Sequence, residues 1–532
     1  MSRFFTVILT VVFMGLALTA CGETTATPIV SPSKTVTSTT TSTVIPSSVP
    51  SATATLTPLP TLGSGPYLIT KPDSESQMFT IYDMHGGKKT IELPSDGHIK
   101  GLGTKLNHLI SPDGQWLVFY TGTTNYIDSK TELPLTLKLL NIKDGTIITV
   151  TNVVTDEYEK KLDQLAEILK KLYPEQYKPN DNGDWVRSGL TTALEWGIYA
   201  SAWSPDGDTL AFSAQIDGLS SDVYLYDLET GLIQRAEDSL QNITKMRWSA
   251  DGKKIIFEDS EPGFGYMGSP ELYVIKYQKE TVKDPELLTY QSWIGSFDPI
   301  TQTWSPTGDW LTPNILLVTG QTPDAGSSGI EALNISTKES TELWGDIFSG
   351  YAVDPQNKMV IISPSDYTSP QNAGVFLINF NGQKTKIFDG FYYLDLFFRG
   401  GEKHRFILQG ISIAEINGDS TSGQFPIAGQ VIGIDVNGNP DSFAKFEDKP
   451  QISISPDLSW LLIFDKNILT LYDENDELVK IFPIADIQRV IWRPDSQAIF
   501  YSIGKQLYVL TLPTGEPKLI DNNEIQDVAW LP

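Results

Sequence analysis

The string Trp203-Ser204-Pro205-Asp206-Gly207 returns along the chain as Ile110-Ser111-Pro112-Asp113-Gly114, Trp248-Ser249-Ala250-Asp251-Gly252, Trp304-Ser305-Pro306-Thr307-Gly308, Ile454-Ser455-Pro456-Asp457 and Trp492-Arg493-Pro494-Asp495. Degenerate copies are Val353-Asp354-Pro355 and Phe398-Arg399-Gly400-Gly401, and Trp530-Leu531-Pro532 is a truncated one. Pro presets φ for the second position of a turn, Asp accepts from the backbone ahead, and Gly takes a positive φ. An apolar run follows each turn, as in Leu117-Val118-Phe119, Ile255-Ile256-Phe257 and Leu461-Leu462-Ile463-Phe464. A second hairpin lies downstream, for example Val223-Tyr224-Leu225-Tyr226 before Glu229-Thr230-Gly231. Four short strands per repeat of roughly 40–55 residues is the pattern of a β-propeller blade.

The turns therefore predict an all-β chain: a closed β-propeller of four-stranded blades, eight or nine by repeat count, over residues 65–532. The first strands after residue 65 (Tyr67-Leu68-Ile69-Thr70, Met78 to Tyr82, Thr90 to Leu93) lack an inner partner, and Gln526 to Leu531 lacks outer ones. Pairing the two closes the ring and removes the open edges. Five tryptophans precede a turn (Trp203, Trp248, Trp304, Trp492, Trp530), and Trp116, Trp310 and Trp460 follow one at a common register. Aromatics at a fixed blade register point to packing between blades rather than to ligand contacts.

The repeats resemble the WD40-like PD40 repeats of TolB-type propellers, which also occur in the propellers of prolyl oligopeptidase-type enzymes. The resemblance implies fold and, from TolB, protein partners. TolB-type proteins have six blades and an N-terminal α/β domain, and neither is matched here.

Residues 1–20 form a short charged start and an apolar stretch, Phe4 to Ala17, ending in Leu18-Thr19-Ala20 before Cys21. This is the pattern of a secretory signal. Leu-Thr-Ala-Cys resembles the bacterial lipobox, which implies that the signal is cut before Cys21 and that its thiol carries a thioether-linked lipid. The expected location is the outer side of a bacterial membrane, with the membrane as partner through the lipid on Cys21. Cys21 is the only Cys in the chain, so the exported part has no disulfide and relies on its core. Residues 21–64 continue as a tail in which 13 Thr, 8 Ser and 6 Pro fall between Glu23 and Ser64 with no aromatic. Such a segment cannot offset its ordering entropy by burial, and it is expected to be a disordered stalk.

The chain has 532 residues and a formal net charge of −26, which excludes nucleic acid as a partner, since phosphate binding needs clustered Lys and Arg. Length variation is concentrated in the connections between second and third strands, about 121–134, 214–221, 258–270, 319–328, 363–373 and 409–428. It also falls in an insertion at about 155–196 that joins two blades on the same face. The insertion contains a helix pattern: Thr155 as cap, acids in the first turns, a stripe of Tyr158, Leu162, Leu165, Leu169 and Leu172, and Pro174 as stop. That stripe packs on the rim or docks a partner.

Ligand-binding candidates on this face are Tyr126, Asp128, Trp185, Trp196, Glu258, Asp259, Glu261, Tyr266, Asp366 and Tyr367. Acids interleaved with aromatics suit sugars, cationic peptides or a calcium ion, although no pattern requires a cofactor. The expected role is a binding module for protein, peptide or glycan. The alternative is a hydrolase, carbohydrate-active or similar, using loop carboxylates. No Gly-x-Ser-x-Gly elbow is present. His85, His98, His108 and His404 lack metal-ligand spacing and read as turn or surface residues. Asp435-x-Asn437-x-Asn439-x-Asp441 looks like half a calcium loop, but its place in a hairpin favours turn chemistry.

Overall fold

The computed structural model describes Leu62 and most of residues 65–532, outside 72–76, 100–105, 126–129, 132–134, most of 156–199, 217–219, 238–241, 261–270, 295–309, 322–327, 365–373, 389–391, 413–429, 446–449 and a few shorter stretches. The signal, Cys21 and nearly all of the stalk lie outside the described residues. Nine antiparallel sheets follow one another along the chain, seven of four strands and two with a short fifth strand. They form a nine-bladed propeller, the upper of the two blade numbers read from the repeats.

Blade 1 takes its inner strand from the far end of the sequence. Asp527–Leu531 pairs with Tyr67–Lys71, Leu68 lying opposite Trp530 and Lys71 opposite Asp527, with Met78–Tyr82 and Lys88–Glu92 outside them. Blades 2 to 9 begin their inner strands near residues 97, 201, 242, 292, 348, 392, 451 and 489.

The apolar runs after the turns are continuous because both faces of each second strand are buried. Successive side chains in a strand point to opposite faces. Ile255 accordingly packs towards blade 3 while Ile256 packs towards blade 5. Leu461 and Ile463 pack towards blade 7, and Leu462 and Phe464 towards blade 9. Leu68 and Tyr82 of blade 1 meet Phe500, Leu507 and Val509 of blade 9, so the apolar contact runs unbroken across the closure. Tyr82 also donates from Oη to Asp521 Oδ2 at 2.7 Å, and Lys88 reaches the same carboxylate at 3.3 Å.

The repeated string builds one turn four times over. In each, the Ser hydroxyl donates to the Asp two residues on, at 2.5, 2.5, 2.6 and 2.8 Å for Ser111, Ser204, Ser249 and Ser455. The same oxygen accepts from the amide five residues ahead, at 2.8–3.0 Å. Gly114, Gly207 and Gly252 sit at φ of 70°, 80° and 65°, and Leu458 and Ser496 hold that conformation where glycine is missing.

Neighbouring turns also touch. A Cβ on Gly207 would lie 3.6 Å from Pro112 Cδ of the preceding blade, and one on Gly114 would meet Pro532 Cδ at 2.4 Å. The truncated Trp530-Leu531-Pro532 thus fills the place of a full turn beside blade 2. Trp203, Trp248 and Trp492 donate their indole N–H to Leu109 O, Ala202 O and Ser453 Oγ, each two residues before the Ser position or its equivalent in the preceding blade. These tryptophans are inter-blade struts, as their register predicts.

The degenerate Phe398-Arg399-Gly400-Gly401 copy is built differently. Arg399 is fully buried and its Nε donates to Asp476 Oδ1 of blade 8 at 3.0 Å, with further bonds to the carbonyls of Leu458 and Asp473. His404 Nδ1 lies 2.8 Å from Asp476 Oδ2, and its Nε2 lies 3.5 Å from Asp441. Arg405 Nε donates to Asp354 Oδ2 of blade 6 at 2.5 Å. His404 is therefore not the turn or surface residue that its spacing implies. It is buried in an ion network joining blades 7 and 8, an arrangement that leaves no trace in sequence spacing. Asp435 is a turn residue as expected, accepting from the amides of Asn437 and Asn439 at 2.8 Å each.

Closure and turn chemistry both make measurable statements. Removing 527–532 takes the inner strand from blade 1 and should lower Tm sharply; an unchanged melt would contradict closure. Burial opposes ionisation of Asp457, but hydrogen bonds from Ser459, Ser455 and Ser496 outweigh it and hold its pKa at about 2, below the usual 3.8. Asp251, Asp354 and Asp521 are lowered in the same way, burial in each being overcome by hydrogen bonds and nearby cations. Depressed carboxylates stabilise the fold above their unfolded-chain pKa and lose that contribution as pH falls through the folded value. The melting temperature should hold down to about pH 5 and fall between about pH 4 and about pH 2; a level Tm across that window would contradict this account.

Candidate functional site

The antiparallel order puts every first-to-second and third-to-fourth turn on one face, here the turn face. The second-to-third connections and the links between blades leave from the other. At the four Ser-Asp turns the polar groups of the turn face are paired among themselves, while the Trp304-Ser305-Pro306-Thr307-Gly308 copy in blade 5 lies outside the described residues. Blades 8 and 9 are compact on the opposite face, where Asp465 Oδ1 accepts from Asn467 and Ile468. The long connections leave from blades 2 to 7.

Six candidates stem from one arc of three consecutive blades. A two-stranded ribbon, Thr124–Asn125 with Lys130–Thr131, projects from blade 2 and brackets Tyr126 and Asp128. The insertion carrying Trp185 and Trp196 joins blades 2 and 3, and the connection carrying Glu261 and Tyr266 leaves blade 4. Asp366 and Tyr367 stem from blade 6, two blades further round. All eight of these residues lie outside the described residues, so their side chains are not placed.

Glu258 and Asp259 are placed in the strand Lys254–Ser260, opposite Lys245 and Ile243, so the connection begins later than residue 258. Glu258 is 1% exposed, with Lys245 Nζ 3.4 Å from its Oε2. It is part of the wall of blade 4 and not an accessible loop acid. The reason is the bulge between Ile243 and Lys245, which brings the lysine opposite the glutamate. The side chain of Asp259 lies outside the described residues.

The roots of this arc hold polar groups that the sequence reading passed over. Asp222, 1% exposed at the start of the third strand of blade 3, accepts from Tyr224 Oη at 3.3 Å and pairs with Arg235 at 3.5 Å. Ser221 Oγ accepts from the amide of Ile243 at 2.6 Å, tying the base of that connection to blade 4. Gln215 donates from its amide to Val153 O at 2.7 Å, within a parallel bridge from Val154 to Gln215. Thr155 Oγ1 donates to Ile216 O at 2.7 Å. The cap candidate thus spends its proton on fastening the root of the insertion to blade 3.

Downstream of Thr155, the described residues 160, 161, 163, 164, 167 and 171 are all helical. Five of them are exposed, which puts a polar face towards solvent, while the apolar stripe lies outside the described residues. Asp222 and Ser221 are legible only as isolated polar residues at the start of an apolar strand, a weak signal.

Among the described residues no cluster of three or more His, Cys, Asp or Glu side chains has the geometry to hold a metal ion. Elsewhere on this face, Arg489 of blade 9 has its pKa lowered by burial, with the charge of Asp527 opposing that shift. Asp527 Oδ2 in turn accepts from the Leu106 amide of blade 2 at 2.7 Å.

No protein-family model matches the chain, and no curated protein matches it. Among solved structures, a eukaryotic initiation factor aligns with TM-score 0.48 and 11% identity over 88% of this chain and 99% of that one. An oligogalacturonate lyase in complex with manganese aligns at 0.32 and 13%, covering 84% and 97%, and the dipeptidyl peptidase 4 of Porphyromonas gingivalis at 0.42 and 9%, covering 82% and 64%. Likenesses at this level carry no residue role, ligand or chemistry over to this chain.

The Lys245–Glu258 pair separates a wall from a site. Lys245→Met leaves a buried carboxylate without its cation and should destabilise the fold by about 3 kcal/mol. Glu258→Gln together with Lys245→Met should recover much of that loss in urea unfolding. A single variant as stable as the parent would show that the pair is not structural.

Proposed function

We propose that this chain is a surface lipoprotein, acylated at Cys21, whose propeller is a binding module for a protein, peptide or glycan. Its binding region is the arc of blades 2 to 4 on the face of long connections, and the 155–196 insertion is its largest element. The observation that carries this reading is the asymmetry between faces. On one face the turns of blades 2, 3, 4 and 8 are short and their polar groups are internally paired. On the other, the ribbon of blade 2, the insertion and the long connection of blade 4 arise side by side. Long connections on a rigid ring are where recognition residues gather. Trp185, Trp196, Tyr126 and Tyr266 supply flat surfaces for sugars or peptide side chains, and Asp128 and Glu261 supply acceptors.

The membrane enters as the support of the anchor, and the location is the outer side of a bacterial membrane. Calcium has no assigned place, and no catalytic residue is assigned.

The test uses the full-length protein on glycan and peptide arrays, beside a variant in which 156–199 is replaced by a short Gly-Ser linker. Binding by the parent and its loss in the variant, with Tm retained, is the expected result. Undiminished binding after replacement would remove the insertion from the site. Turnover of an array ligand would replace the binding module with the hydrolase alternative.

A further inference from the structure

The two described chain ends lie together. Tyr67, the first residue of its strand, is opposite Leu531, the last of the inner strand. A Cβ on Gly65 would lie 3.2 Å from Pro532 O, and Pro532 itself packs on the turn of blade 2 through Gly114. Leu62 packs against the core shared by blades 1 to 3. The segment that leads back to Cys21 therefore leaves the ring from the turn face, beside the central turns, and not from its rim or from the face of long connections.

This position constrains how the ring is held. Residues 22–61 span roughly 130 Å when fully extended, at about 3.3 Å per residue. The stalk expected from the composition of this segment has a mean end-to-end distance of only about 35 Å. Turning the ring over would require that tether to pass around the rim and stretch, which costs conformational entropy. Charge on the turn face is mixed: Asp113, Asp206, Asp251, Asp457 and Asp495 lie on the turns of blades 2, 3, 4, 8 and 9, and Lys254 and Arg493 stand 3.9 and 3.1 Å from Asp251 and Asp495, so the tether and not charge sets the orientation.

We infer that the turn face is the membrane-proximal side of the ring. The long-connection face of blades 2 to 4 is displayed away from the anchoring membrane, and its partner reaches it from the medium and not from the plane of that membrane. This rests on the reading that Cys21 carries the lipid, and it assigns a direction of approach that the binding-module reading lacks.

Acylation of Cys21 leaves the parent without a free thiol, so one introduced Cys is the only labelling site. Gln115→Cys in blade 2 and Glu474→Cys in blade 8 mark the turn face. Ser220→Cys in blade 3 and Asn467→Cys in blade 8 mark the other. The full-length lipidated variants are placed in phosphatidylethanolamine–phosphatidylglycerol vesicles, with energy-transfer acceptors on the headgroups. Transfer should be higher from Gln115 and Glu474 than from Ser220 and Asn467. Streptavidin added outside the vesicles should bind biotin at Ser220 and Asn467 faster than at Glu474. Equal or reversed orders in either measurement would overturn the orientation. Flotation separates this outcome from failure of the anchor. If the parent does not float with vesicles, or if Cys21→Ser floats equally well, the lipid reading fails and the orientation falls with it. If only the parent floats but the transfer order is equal, the orientation alone is wrong.

Discussion

Every sheet in this protein buries both of its faces, and the rest of the architecture follows from that constraint. An ordinary surface sheet alternates apolar and polar residues. Here the second strands read as unbroken apolar runs, because one residue packs on the preceding blade and the next on the following one. Ile255 and Ile256 divide in this way, as do Leu461 and Leu462. A sheet of this kind cannot stand alone, and neither can a row with free ends. The ring must close, and the pairing of Asp527–Leu531 with Tyr67–Lys71 is the step that closes it.

Closure also explains why the two faces of the ring differ. The turns that join inner strands to their neighbours sit close together around the axis, each within van der Waals reach of the next where Pro112 meets Gly207 and Pro205 meets Gly252. Crowding of that sort favours one compact turn, and Ser-Pro-Asp-Gly supplies it by satisfying its own amide and hydroxyl groups. Where the motif is lost, a buried ion network takes over, with Arg399 and His404 reaching Asp476 across the blade boundary. The other face accepts long connections and the insertion at about 155–196, because lengthening a loop adds little closure entropy.

Much of the fold is legible in the residues themselves. The turn string, the apolar runs and the unpaired strands near the two ends of the ring imply the blades and their closure, because turn chemistry and period-two burial are local properties. The tryptophans before the turns are readable for the same reason, since a fixed register places each against the same site on its neighbour. The ion network of blades 6 to 8 is not readable. Arg399 and Asp476 stand 77 residues apart, and nothing local marks them as partners. Glu258 fails as a loop acid for a related reason: a one-residue bulge near Ile243 decides that Lys245 faces it, and strand ends shift by that much without a sequence signal.

Composition and local pattern alone determined the all-β class, the repeat and the strands at the two ends of the ring that close it. Only the tertiary structure decided that the blades number nine, that Glu258 is wall and His404 is core, and that the chain towards Cys21 departs beside Pro532. The physical reason is the same in each case. Turns and burial periodicity depend on neighbours along the chain, whereas blade number, charge pairing and the side from which a tether leaves depend on how distant strands are brought together when the ring closes.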